Sequence, residues 1–87
     1  MEETFFVYIL KCGDDSYYVG STNNIEKRIE RHSAGEAAKW IKNRLPIKIL
    51  YQEKHETLLS ARQREKQIKG WSRKKKENLI TGTWKKI

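Results

Sequence analysis

Two hydrophobic periods run along the chain, one near two and one near 3.6. Phe5 to Leu10 is an apolar run rich in aromatic and β-branched residues, cut by Gly13-Asp14-Asp15, and a second β-prone run from Ser16 to Val19 ends on Gly20. Two such runs about a Gly/Asp loop predict a β-hairpin. Loop length then decides which side chains share a face. A two-residue loop pairs Cys12 with Asp15 and separates Tyr8 from Tyr18, whereas a three-residue loop pairs Cys12 with Ser16 and makes the tyrosines diagonal neighbours. The second register is favoured, because three-residue loops usually carry one left-handed residue, which Gly, Asn or Asp tolerates. Two tyrosines on a small sheet are, on this pattern alone, most simply core rings with wetted hydroxyls.

Beyond Gly20 the period lengthens. Ile25, Ile29 and His32 recur at helical spacing within Asn24 to Ser33, with Arg28 bordering that stripe and Glu26, Lys27, Glu30 and Arg31 facing away. Asn23, three residues before Glu26, fits an N-cap with its reciprocal acid, and Gly35 can stop the helix. Residues 36–44 predict a short second helix or turn, closed by Pro46. Ile47 to Glu53 predicts a third strand, with Ile47, Ile49 and Tyr51 on its more apolar face. Thr57 caps a further helix running to Lys69 before Gly70. Its inward positions are Leu58, Ala61, Glu65 and Ile68. A last helix starts at Ser72, carries Arg73, Lys74, Lys75 and Lys76 in its first turn, and ends at Gly82. No internal repeat or low-complexity linker interrupts the series.

Glu65 breaks this pattern. A carboxylate in the middle of an apolar stripe must pair, bind a metal or face a cleft, because burying it unpaired is costly. The plainer reading is an ion pair with Arg28 or Lys69, or a wet edge position. Trp71 and Trp84 flank the last helix. Either could stack on a base or an arginine, though packing is the favoured role.

Composition narrows the possibilities. Eighty-seven residues suit one domain, 1–87, with a core at about 5–80 and a tail at 81–87. A chain this short buries only about 60–65% of its unfolded surface, so its core is thin. The lone Cys12 makes no intrachain disulfide and no cysteine-based zinc site, and suggests a reducing compartment. With no membrane-length apolar stretch and no signal-peptide pattern, the expected location is cytoplasmic. Residues 1–45 carry seven basic and seven acidic side chains, whereas residues 46–87 carry twelve against four and supply the whole net charge of +8. That asymmetry points to a polyanion, and to nucleic acid ahead of a membrane surface, since no helix joins the basic residues to a broad apolar face.

Two tyrosines, an arginine and a carboxylate together suit phosphodiester hydrolysis. A carboxylate-held metal neutralises charge and polarises phosphate, an arginine grips two phosphate oxygens, and a phenol of lowered pKa can take a proton from water. Phe6-Val7-Tyr8 and Tyr18-Val19-Gly20, followed by Arg28 and Glu65 in order, resemble the GIY-YIG endonuclease superfamily, in its stand-alone single-domain bacterial form. The second motif differs by one conservative change; the first keeps its tyrosine but has Phe-Val for Gly-Ile.

The resemblance implies a small α/β (α+β) fold, a central three-stranded antiparallel sheet flanked by helices. It implies a metal-dependent endonuclease acting on nucleic acid, DNA foremost, in repair or processing of branched or damaged DNA, with one Mg²⁺ (or Mn²⁺) per site. Carried over by position, Tyr18 is the general base or water-orienting phenol, Tyr8 hydrogen-bonds within the site or to phosphate, Arg28 stabilises phosphate and Glu65 holds the metal. Gly20 permits close approach, His32 supports the site and Asn78 matches a later asparagine of some members. Ser21 and Thr22 stand where many members place a lysine that favours the phenolate. Arg73, Lys74, Lys75 and Lys76 would hold the nucleic-acid backbone, and a protein partner could supply substrate choice. The alternatives are a non-catalytic nucleic-acid-binding module of the same fold, a small interaction protein, and tyrosine acting as a covalent nucleophile.

Overall fold

The computed structural model describes residues 3–36 and 39–82. Ala37 and Ala38, within the expected short helix, and the tail from Thr83, including Trp84, lie outside them. The elements run β1 (Phe5–Cys12), β2 (Tyr17–Thr22), α1 (Ile25–Ser33), α2 (Lys39–Lys42), β3 (Ile47–His55), α3 (Leu58–Lys69) and α4 (Arg73–Thr81). The strands form one antiparallel sheet in the order β2-β1-β3. This is the α+β architecture expected from the sequence.

β1 is the middle strand, which explains its unbroken apolar reading: Val7, Tyr8, Ile9 and Leu10 are all fully buried, because helices cover both faces. On one face Tyr8, Leu10 and Ile41 pack with Tyr18, Ile25, Ile29 and Ile47, beneath α1 and α2. On the other, Val7, Ile9, Val19, Ala61 and Ile68 pack with residues of α4 and with Trp71. Each fully buried large apolar side chain contributes roughly 1.5–3 kcal/mol, so β1 anchors the molecule on both sides.

The hairpin takes the three-residue loop. The Cys12 amide donates to the Ser16 carbonyl at 2.9 Å, Tyr8 pairs with Gly20 and Leu10 with Tyr18. Asp15 supplies the left-handed residue, at φ 70°. Gly13 is required for a different reason: a Cβ there would lie 2.6 Å from the Leu45 carbonyl oxygen. The Gly13 amide also donates to the Arg44 carbonyl at 2.7 Å, pinning the hairpin tip to the chain between α2 and β3.

Three local expectations are corrected. The α1 N-cap is Asn24, not Asn23: its side chain accepts from the Lys27 amide at 2.9 Å, while Asn23 donates to Glu3. Ile47, Ile49 and Tyr51 do not share a face. The pairing slips between Ile9, opposite Tyr51, and Leu10, opposite Ile49, so Leu50 is an extra residue. Such a bulge moves everything beyond it to the other face; Ile47 joins the Tyr8 cluster, Tyr51 the Val7 cluster, and Ile49 is left exposed. Leu58, expected inward, is exposed at the first turn of α3, where it lines a surface groove with Phe5.

Candidate nucleic-acid cleavage site

The centre of the candidate site is the Tyr8 hydroxyl. β1 directs this phenol toward α1, where it meets His32 Nε2 at 2.9 Å. It passes over Gly20, its cross-strand partner. A Cβ on Gly20 would fall 2.5 Å from the Tyr8 oxygen and 3.2 Å from the Tyr18 ring. The close approach at Gly20 is therefore that of the Tyr8 phenol. Tyr18, two residues back on β2, lies with its ring centre 6.4 Å from Tyr8 and 5.3 Å edge-on from His32.

Burial pushes the Tyr8 phenol up to about 12, with the Tyr18 phenol adding to the rise, the Arg28 guanidinium opposing it and the Glu65 carboxylate contributing last. Tyr18 and Arg28 act on it from the α1 face of the sheet, and Glu65 from the α3 face. Tyr8 is nevertheless fully buried. Its hydroxyl meets His32 and does not face solvent. His32, also fully buried, is pushed down to about 4, by burial first and then by Arg28 and Arg31, and so is neutral.

Glu65 reaches the site from the opposite face. β2 is an edge strand, and Ser21 points to the α3 side, where its hydroxyl donates to Glu65 Oε1 at 2.6 Å. Lys69, one turn on, pairs with Oε2 at 2.8 Å. Burial opposes the charge on Glu65, but the hydrogen bonds from Lys69 and Ser21, aided by the Lys69 and Arg62 charges, outweigh it and hold the carboxyl below its usual range. The pairing with Lys69 is thus one of the two ion pairs foreseen for this residue. Ser21 was read only as a missing lysine; its role as the Glu65 partner follows from its facing α3, which needs the register.

A groove of about 360 Å³ opens beside Ser21, lined also by Thr22, Asn23, Arg28, Arg62, Leu58, Phe5 and Glu3. Arg28 and Arg62 present two guanidiniums there, one from each side of the sheet. Neither Tyr18 nor Glu65 lines this groove; Glu65 lies behind Ser21, which does. The proposed set straddles the β2 edge, with Tyr18 and His32 on one side, Glu65 on the other and Arg28 at the end between them.

The remaining sequence candidates lie elsewhere. Asn78 is half-buried on α4, beside Leu79 and Ile80, which pack on the Val7 face. Arg73 ties α4 to the hairpin: it bonds the Asp15 carbonyl at 2.6 Å and Glu77 at 3.1 Å, with its guanidinium 4.0 Å over Tyr17. Lys75 lies 5.1 Å over Trp71, itself packed against the core, and Lys74 is exposed. Trp40, overlooked in the sequence, leans on Tyr18 at 5.7 Å.

Among the described residues, no three His, Cys, Asp or Glu side chains gather as a metal cage. Glu65 offers one charged carboxylate beside a polar groove. That suits Mg²⁺, which takes one or two carboxylates and completes its shell with water and substrate phosphate. It does not suit structural zinc, which wants four protein ligands.

Several known proteins are similar to this chain over most of its length. Similar chains include a UPF0213 protein of Staphylococcus aureus, 44% identical over 90% of this chain and 95% of its own length, and one of Natronomonas pharaonis, 41% identical over 92% and 94%. Among solved structures, a UPF0213 protein of Bacillus halodurans matches with TM-score 0.59 and 35% identity, covering 90% of this chain and 83% of its own. A protein of E. faecalis matches with TM-score 0.65 and 31% identity, covering 100% and 95%. The GIY-YIG catalytic domain matches residues 4–78, so the chain belongs to the GIY-YIG nuclease family, alongside UPF0213 proteins.

Proposed function

We propose that the chain is a divalent-metal-dependent endonuclease that hydrolyses nucleic-acid phosphodiesters, DNA foremost, in the processing or repair of branched or damaged strands in the cytoplasm. What supports this reading is the grouping about the open edge of β2: Tyr18 and His32 on one face, Glu65 bonded to Ser21 on the other, and Arg28 and Arg62 in the groove beside Ser21.

In this reading Arg28 binds two oxygens of the scissile phosphate and steadies the charge that grows there. Arg62, across the groove, adds a second positive charge. Tyr18, half-buried on the α1 face of the sheet, orients the attacking water through its hydroxyl and takes up the water's proton as the phenolate, its own proton having gone to solvent beforehand. Tyr8 does not touch substrate; its hydrogen bond to His32 holds α1, and with it Arg28, at the correct height above β2. Glu65 would hold Mg²⁺ or Mn²⁺, with Ser21 fixing one carboxylate oxygen and the other given up by Lys69. The metal, when bound, supplies charge neutralisation and polarises the phosphate. The basic α3 and α4 surfaces hold the strand.

The pairing of Glu65 with Lys69 favours one alternative, a binding module that has lost catalysis. A cleavage panel of duplex, single-stranded, gapped and branched DNA with Mg²⁺ or Mn²⁺ separates the two. The nuclease reading expects nicking of at least one substrate that is abolished in Glu65→Ala at unchanged binding and in Arg28→Ala with some loss of binding. The module reading expects salt-dependent binding in all three proteins and cleavage in none.

A further inference from the structure

We infer that Trp40 and Arg44 form a stacking site for an unpaired nucleobase, so that the nucleotide flanking the cleaved bond is single-stranded. The inference rests on the nuclease reading above and names its substrate class.

A column of flat groups runs outward from the candidate site. The fully buried His32 ring meets Tyr18 edge-on at 5.3 Å, and Tyr18 lies at 5.7 Å and 30° from the Trp40 indole. The Arg44 guanidinium then covers Trp40, 4.0 Å from its ring centre. His32 is fully buried, Tyr18 half-buried, and Trp40 keeps 39% of its surface in solvent, with the half-buried Arg44 outermost. A tryptophan placed only to shield Tyr18 would gain from lying deeper. Since Arg44 already covers the indole, what is open to a base is the guanidinium plane and the exposed part of the Trp40 ring.

Arg44 is held ready at the outer end. Its Nε pairs with Asp14 at 3.1 Å, its Nη1 donates to the Trp40 carbonyl at 2.8 Å, and its own carbonyl accepts from the Gly13 amide at 2.7 Å. Side chain and backbone are thus fixed before any ligand arrives, which removes most of the ordering cost of a further contact. A pinned, planar cation backed by an indole offers a base two attractions, stacking and cation–π contact. Lys39 and Lys42, on the same short helix as Trp40, are exposed and suit the phosphates on either side of that base. A base inside a duplex is already stacked on both faces and would have to leave the helix first. The site therefore selects gaps, flaps, loops or single strands.

The test compares two short oligodeoxynucleotides of equal length, one ordinary and one with abasic sugars at every position, which keeps the phosphates and removes the bases. Binding is followed without divalent metal, so no cleavage is needed. The wild-type protein should bind the ordinary strand about tenfold or more tighter, with quenched tryptophan fluorescence. Trp40→Ala and Arg44→Ala should bind both strands equally, Trp40→Phe should keep most of the preference, and Arg44→Lys should not restore it, because an ammonium has no plane to stack. Thermal melts verify folding; if Trp40→Ala unfolds, the Arg44 variants and Trp40→Phe decide. Equal wild-type affinity for the two strands, or a preference that survives in folded Arg44→Ala, overturns the inference. Failure to cleave in the panel above overturns the nuclease reading and leaves this binding result standing separately.

Discussion

His32 shows how much one side chain can organise here. Its Nε2 meets the Tyr8 hydroxyl, while its Nδ1 has no partner among the described residues. A neutral ring in either tautomer therefore leaves one buried nitrogen unsatisfied, a cost of about 1–3 kcal/mol that a functional residue tolerates more readily than a purely structural one. Burial pushes the ring down to about 4 from 6.5. Between those values the unfolded chain binds a proton that the folded one refuses, so stability rises with pH across that window. It should be fully present above about pH 6.5 and fall, by on the order of 3 kcal/mol, as pH drops toward 4. Urea unfolding midpoints between pH 7 and pH 4.5 check this, and a His32→Gln variant should lose most of the slope. An unchanged slope in that variant would place the titrating group elsewhere. Gly20 belongs to the same scale, since the Tyr8 oxygen occupies the space a methyl group would need.

At the scale of the element, helix α1 delivers both Arg28 and His32, so its phase matters more than its length. Its cap is Asn24, whose side chain takes the Lys27 amide. Replacing that residue, Asn24→Ala, should cost about 1 kcal/mol by chemical denaturation, whereas Asn23→Ala should stay within about 0.5 kcal/mol of wild type. Equal losses at both positions would mean that the cap is shared. Adjacent asparagines are indistinguishable in sequence, because either can begin a helix; only the exit angle of β2 chooses between them. The hairpin was more legible, since Gly13, Asp14 and Asp15 carry the turn chemistry that fixes a three-residue loop and puts Tyr8 and Tyr18 on one face. β3 was less so. Its bulge at Leu50 arises from pairing with β1 and leaves no local sign in an alternation of Ile47, Ile49 and Tyr51 that looks regular. Trp40 escaped for a similar reason: a short polar helix gives no hint that one of its side chains leans across onto another strand's tyrosine.

Across the whole molecule the candidate site is an edge, not a pocket. The sheet is too small to enclose a substrate, and its outermost strand carries Tyr18 on one face and Ser21, with Glu65 behind it, on the other. Such an arrangement suits a polymer that wraps over a rim more than a small molecule that needs burial. The +8 charge, concentrated beyond residue 45, would supply the grip and the guanidiniums of Arg28 and Arg62 the point of closest approach. Glu65 could be identified from sequence because a carboxylate interrupted an apolar stripe; Ser21 and Lys69 as its partners required the register of β2 and the turn of α3.

In the proposed mechanism Tyr18 and Glu65 act on the bound phosphodiester, with Tyr8 behind them. Single-turnover cleavage under saturating protein, on the best substrate of the panel and with Mg²⁺, tests it most directly. Tyr18→Phe and Glu65→Gln should each slow the step by about a hundredfold or more at unchanged affinity, and Tyr8→Phe should slow it less while lowering stability by about 1 kcal/mol. Wild-type cleavage rates in folded Tyr18→Phe or Glu65→Gln would contradict the account.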